Sequence, residues 1–133
     1  MNPKGLRIKS RPEGEEVVAD WSPEEHHASF KGFVSGGILS TLLDCHGNWT
    51  AVHALMKEGG LSSPPATVTS ELSIKFLKPT PVTRLRLRAW PVKIDRNRVS
   101  VAGEIDVDGE PTASMTGLFV VVKEGHPAFH RWE

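Results

Sequence analysis

Cysteine is almost absent: Cys45 is the one thiol in 133 residues. That excludes an internal disulfide framework and makes a reducing compartment the simpler setting, so a cytoplasmic chain is expected. Neither sign of charge is in excess, since 16 basic and 16 acidic residues cancel to +0. A general nucleic-acid binder carries a basic surplus, and a strongly acidic tail would suggest a charged partner; neither pattern is present. Long hydrophobic runs are missing too. The opening MNPKGLRIKS has no apolar stretch that could act as a secretion signal, and no segment reaches the roughly 20 apolar residues of a bilayer-spanning helix. What remains is a globular chain long enough to bury a core without staples. One domain over residues 1–133 is expected, with about 124–133 as a loosely held tail.

Periodicity divides the chain. Leu6 and Ile8 on one side, and Val17, Val18, Ala19 and Trp21 on the other, flank the turn-rich Arg11-Pro12-Glu13-Gly14 and predict two short strands. Ser22 to Phe33 reads as loop with a helical turn. From Gly36 to about Lys57, Ile38, Leu42, Cys45, Trp49, Val52 and Met56 recur at three- and four-residue steps, and Leu39, Leu43 and Leu55 widen the stripe. This predicts one largely enclosed helix of about 20 residues, roughly 30 Å long. Gly59-Gly60 closes it, where glycine takes a left-handed cap. The same stripe assigns Cys45 to the core.

Beyond Pro64-Pro65 the pattern has period two. Val68, Leu72, Ile74 and Phe76 alternate with polar residues, with one slip near Ser70, and Arg84, Arg86 and Arg88 alternate with Leu85, Leu87 and Ala89. Turn signals at 78–81, 95–97 and 108–109 separate four strands expected to run as a meander. The sum is an α+β arrangement in which an antiparallel sheet of five to six strands curls around one central helix.

Positions 34–49 read VSGGILSTLLDCHGNW. The leading amides of a helix have no intrahelical acceptors and carry partial positive charge. Gly36 and Gly37 would leave them open to a ligand oxygen, with the Gly37 amide as an oxyanion donor; equally, two glycines permit a tight turn with Ser35 as N-cap. Asp44 lies two turns further on, sharing a face with Thr41 and Asn48. A carboxylate on a buried helix is costly unless it is paired or reaches a cleft, so it is either a working group or a rim residue bonded to a neighbour. His46 and Cys45, about 100° apart around the helix, form no dyad; His46 is expected to line the pocket or make an interface hydrogen bond. His26 and His27 have no partner at metal-ligand spacing.

This layout resembles the hotdog fold, and within it the PaaI-like acyl-CoA thioesterases. Asn2-Pro3-Lys4-Gly5-Leu6 is similar to the NPxGL start of the first strand, Gly36-Gly37 with Asp44 to the HGG-x6-D segment, and Ser73-Ile74-Lys75-Phe76-Leu77-Lys78-Pro79 to the strand after the helix. Ser35 stands where the family usually keeps histidine. The resemblance implies hydrolysis of an acyl-CoA to free acid and CoA, with no metal or redox cofactor and no nucleic-acid or membrane partner. Asp44 would act as general base or nucleophile, and Gly37 would polarise the carbonyl. Thr69, ten residues before Pro79, would face the acid across a dimer interface. Ser35, Gly36, Thr41, His46 and Asn48 would line the substrate site in a homodimer or homotetramer. Arg84, Arg86 and Arg88, Arg96 and Arg98, or Lys31 would meet the CoA phosphates. Two rivals stand beside this: an acyl- or aryl-CoA-binding module without turnover, and a dehydratase of hydroxyacyl thioesters.

Overall fold

The computed structural model describes residues 6–129. The NPxGL likeness therefore lies outside the described residues except for Leu6, as does the end of the tail. Two short strands come first, β1 (Arg11–Glu13) and β2 (Glu16–Trp21). The expected turn thus supplies a strand, while 6–10 stays irregular. Arg7 takes a positive φ of 58°, which breaks extended pairing. Leu6 and Ile8 still pack on the core. A 3₁₀ turn (Glu25–His27) and a small hairpin, β3 (Ala28–Phe30) and β4 (Phe33–Val34), fill the expected loop.

The helix α1 runs Gly36–Gly59. Ser35 caps its start by accepting the Gly37 N–H, and Gly60 ends it at φ 62°, with its own N–H on the Met56 carbonyl. Its buried residues are Leu39, Leu42, Leu43, His46, Gly47, Asn48, Thr50, Ala51, Val52 and Ala54. Leu39, Leu42, Leu43 and Val52 of the expected stripe are among them, but the face extends round to His46 and Thr50, and Cys45 is exposed. Polar residues take part of the core face because each bonds inside the fold: Thr50 Oγ1 donates to the His46 carbonyl at 2.8 Å, for example.

After the helix come β5 (Thr67–Phe76), β6 (Leu85–Asp95), β7 (Arg98–Val107) and β8 (Glu110–Val121). The sheet order is β1-β2-β6-β7-β8-β5. β6, β7 and β8 do meander, the last turn holding Asp108 and Gly109 at φ 51° and 82°. β5, however, pairs with β8 and not with β6. Residues 77–84 carry the chain across to β2, so β5 becomes an edge. That crossing is pinned: Thr80 is buried, its hydroxyl donates to Thr112 Oγ1 at 2.7 Å, and its carbonyl accepts the Val34 N–H at 2.8 Å. The slip near Ser70 is a β-bulge between Thr69 and Glu71.

Leu85, Leu87, Val99, Val101, Ile105, Ala113 and Phe119 face the helix in one apolar cluster. The helix comes close because Gly47 has no side chain: a Cβ there would lie 2.8 Å from Met115 Cε and 2.9 Å from Phe119 Cζ.

Candidate active site at the start of α1

The approach to the helix is held at several points. Ser35 N–H donates to the His27 carbonyl at 2.8 Å, and Leu39 N–H closes the first turn on the Ser35 carbonyl at 3.0 Å. Ser40 and Thr41 hydroxyls turn back onto the carbonyls of Gly36 and Gly37, at 2.8 and 2.9 Å. Gly37 is exposed, and its N–H rests on Ser35 Oγ at 3.2 Å. The capping role and an amide near the surface therefore occur together. The Phe76 ring lies over Gly36, 3.4 Å from where a Cβ would be, and is itself 56% exposed.

Two turns on, Thr69 Oγ1 donates to Asp44 Oδ1 at 2.5 Å. Both side chains are half-buried. Thr69, expected to face the acid across a dimer interface, meets Asp44 within its own chain. It does so because β5 runs beside the helix with Thr67 and Thr69 both turned inward. Thr67 bonds Asn48 in the same way, one helical turn along. Asn48 is thereby a buried helix-to-sheet tie, not a free pocket residue.

A scan against protein families adds the deciding observation: the thioesterase superfamily matches residues 31–114, from the hairpin before α1 into β8. The chain belongs to the thioesterase superfamily. The hotdog arrangement is likewise what its solved relatives share. A thioesterase superfamily protein of Shewanella loihica PV-4 is 29% identical over 88% of this chain and 92% of its own, with a TM-score of 0.76. A phenylacetic acid degradation-related protein of Ralstonia eutropha JMP134 is 27% identical over 87% and 86%, with a TM-score of 0.71. A Bacillus halodurans protein solved with CoA is 29% identical over 90% and 76%, with a TM-score of 0.73. A search of curated proteins finds no match.

For a thioesterase-superfamily pocket, two expected contributors are placed elsewhere. His46 is 1% exposed and bonded on both ring nitrogens. Nε2 lies 2.8 Å from the Val17 carbonyl, which can only accept, so Nε2 carries the proton; Nδ1 then accepts from Ser10 Oγ at 2.7 Å. The ring ties α1 to β2 and the segment before β1, which removes it from substrate contact. The arginine row is also engaged. Arg84 and Arg86 pair with Asp20 at 3.2 and 3.4 Å, and Arg88 pairs with Glu16, Glu104 and Asp106 at 2.7, 2.6 and 3.2 Å. Hydrogen bonding from Arg88 holds Glu16 below the usual carboxylate range, and the Arg88 guanidinium is pushed up in turn. Asp106 Oδ1 is buried without a partner among the described residues. Alternating signs on neighbouring strands make this face a ladder of ion pairs, poorly placed to bind phosphate. Among the described residues no three His, Cys, Asp or Glu side chains gather as metal ligands, and no helix is long and apolar enough to cross a membrane.

The buried rings set an acid limit. Burial pushes His46 below its ordinary 6.5, the Val17 carbonyl working in the opposite sense, and burial with the neighbouring His26 lowers His27. The unfolded chain therefore takes up these protons at a higher pH than the folded one. The stability they contribute is complete above the ordinary value of 6.5 and is lost as pH falls below it. Urea midpoints are expected to drop between about pH 7 and pH 5, and the drop should shrink in His46→Gln. A flat midpoint would contradict this.

Proposed function

We propose that the chain hydrolyses acyl-CoA thioesters, and that Asp44 and the Gly37 amide supply the two poles of the reaction. The observation that carries this is the Thr69–Asp44 hydrogen bond of 2.5 Å, which fixes one carboxylate oxygen on the helix face that begins at Gly37. Seven residues of helix turn through nearly two full revolutions, so the two poles share a face about 10 Å apart along the axis.

In the proposed cycle the carbonyl oxygen sits on Gly37 N–H. Asp44, steadied by Thr69, takes a proton from a water, whose oxygen bonds to the carbonyl carbon. The tetrahedral oxyanion collapses, the C–S bond breaks, and the CoA thiolate leaves with the proton that Asp44 had taken. Lys31 and Arg96, on turns, and Arg98, at the start of β7, lie away from the paired ladder and are the cations offered to the CoA phosphates.

A second copy of the chain belongs to this reading. Nucleophiles approach a carbonyl from above its plane, so the path from amide to carboxylate is bent and falls short of about 10 Å. Spanning it within one chain would also leave the thioester lying on open helix surface. β5 is an edge of ten residues, with Leu72 and Phe76 36% and 56% exposed. Thr69 touches Asp44 and Phe76 touches Gly36. Antiparallel pairing of β5 with its own copy, Thr69 opposite Phe76, would bring each carboxylate to the other copy's amide.

The test is thiol release from a panel of short, medium, long and aryl acyl-CoAs. Turnover is expected on at least one class. A single turnover in ¹⁸O-water should then label the product acid and leave Asp44 unlabelled. Label in Asp44 would make it the nucleophile. Acyl-CoA binding by calorimetry without release of thiol would favour the binding module.

A further inference from the structure

Ser35 is fixed in place by its backbone. Its N–H is held by the His27 carbonyl at 2.8 Å, and its own carbonyl holds Leu39 N–H at 3.0 Å. Only the hydroxyl has freedom, and what it does at rest is weak: it accepts the Gly37 N–H at 3.2 Å, the long end of the range, in an exposed setting. That is the amide the proposed reaction needs. An arriving carbonyl oxygen must therefore compete with Ser35 Oγ for it.

A hydroxyl, unlike a carboxylate or a carbonyl, can change from acceptor to donor by turning its proton. Ser35 Oγ is 3.2 Å from the Gly37 nitrogen, so an oxygen about 2.9 Å from that nitrogen can approach from the side on which it also lies about 3 Å from Oγ, the three atoms closing a triangle. Once the carbonyl has taken the amide, Oγ holds a proton and faces the oxygen on which negative charge grows. We propose that Ser35 Oγ is a second oxyanion donor, accepting from Gly37 in the resting chain and donating to the oxyanion during turnover. The proposal rests on the thioesterase reading above. The exchange replaces a long neutral bond by one to a charged oxygen, which is stronger in the transition state than in the bound substrate. Gain of that kind appears in kcat and not in KM.

Ser35→Gly separates this role from capping, because glycine is nearly as good an N-cap as serine but offers no hydroxyl. Against the acyl-CoA that the wild type cleaves best, Ser35→Gly is expected to lose about 100-fold in kcat, typical of a missing oxyanion donor, with KM little changed. Its melting temperature should stay near that of the wild type. Ser35→Thr, which restores the hydroxyl, should recover most of the loss. Ser35→Ala should match Ser35→Gly in kcat while melting lower. A Ser35→Gly variant with wild-type kcat, or kcat values that follow melting temperature across the three variants, would overturn the proposal while leaving the thioesterase reading intact. A wild type that cleaves no thioester ends both.

Discussion

Mixing two dead variants is expected to restore activity. Asp44→Ala should lower kcat/KM by about 10²- to 10⁴-fold, the usual loss of a positioned general base. Gly37→Pro should cost about 10²- to 10³-fold, because it deletes the amide that meets the oxyanion. Proline is tolerated in the first helical turn, where the N–H has no intrahelical acceptor, so the helix should still form. If each site draws its carboxylate from one copy and its amide from the other, a mixed dimer has one site with both defects and one with neither. Half of the sites in a purified mixed dimer are intact, so about half of wild-type turnover should return. Co-expression of the two variants with different tags, followed by tandem purification, reads this directly. Activity no greater than that of the single variants would place both poles in one chain.

Phe119→Ala is expected to cost about 3–5 kcal/mol, read as a melting temperature lower by on the order of 10–20 °C. Phe119 is fully buried, and its ring fills the gap where α1 crosses β8: it lies against the places where side chains on Gly47 and Gly117 would stand, 2.9 and 2.8 Å from those Cβ positions. Helix propensity alone would favour Gly47→Ala by about 1 kcal/mol. Overpacking against the ring should outweigh that, for a net loss of about 1–2 kcal/mol. In a Phe119→Leu background the smaller side chain gives room, and Gly47→Ala should become neutral or stabilising. Additive effects in the double variant would show that the helix moves instead of the ring.

The helix and its ends were legible because they are written locally, in paired glycines at each terminus and leucines between. The edge of its buried face was not. Leu39, Leu42, Leu43 and Val52 are buried as their spacing suggests, but counting Cys45 as apolar and His46, Thr50 and Asn48 as polar misplaced that edge: the polar three are buried with partners on other elements or one helical turn away, and Cys45 is exposed. The bulge at Ser70 could be read from broken alternation. The neighbour of β5 could not, since pairing with β8 is decided by a crossing at 77–84 whose anchors, Thr80 and Thr112, look like ordinary surface threonines. At the site, the glycine-to-aspartate spacing was visible, and Thr69 was found only through resemblance. Its contact with Asp44 inside one chain follows from the direction in which β5 lies along α1. The arginines looked available because their carboxylate partners, Glu16, Asp20, Glu104 and Asp106, come from two other strands.

The bulge in β5 does more than bend an edge. In an unbroken strand Thr67 and Thr69 would share a side with Glu71 and Ser73, and Leu72, Ile74 and Phe76 would point the opposite way. One extra residue at Ser70 shifts the phase, so hydroxyls from the first half and hydrocarbon from the second both face α1. A single strand thus lays a wet floor beneath the carboxylate and a greasy one beside the helix start. Removing Ser70 would take away no side chain of either floor, yet it would turn one of the two away from the helix.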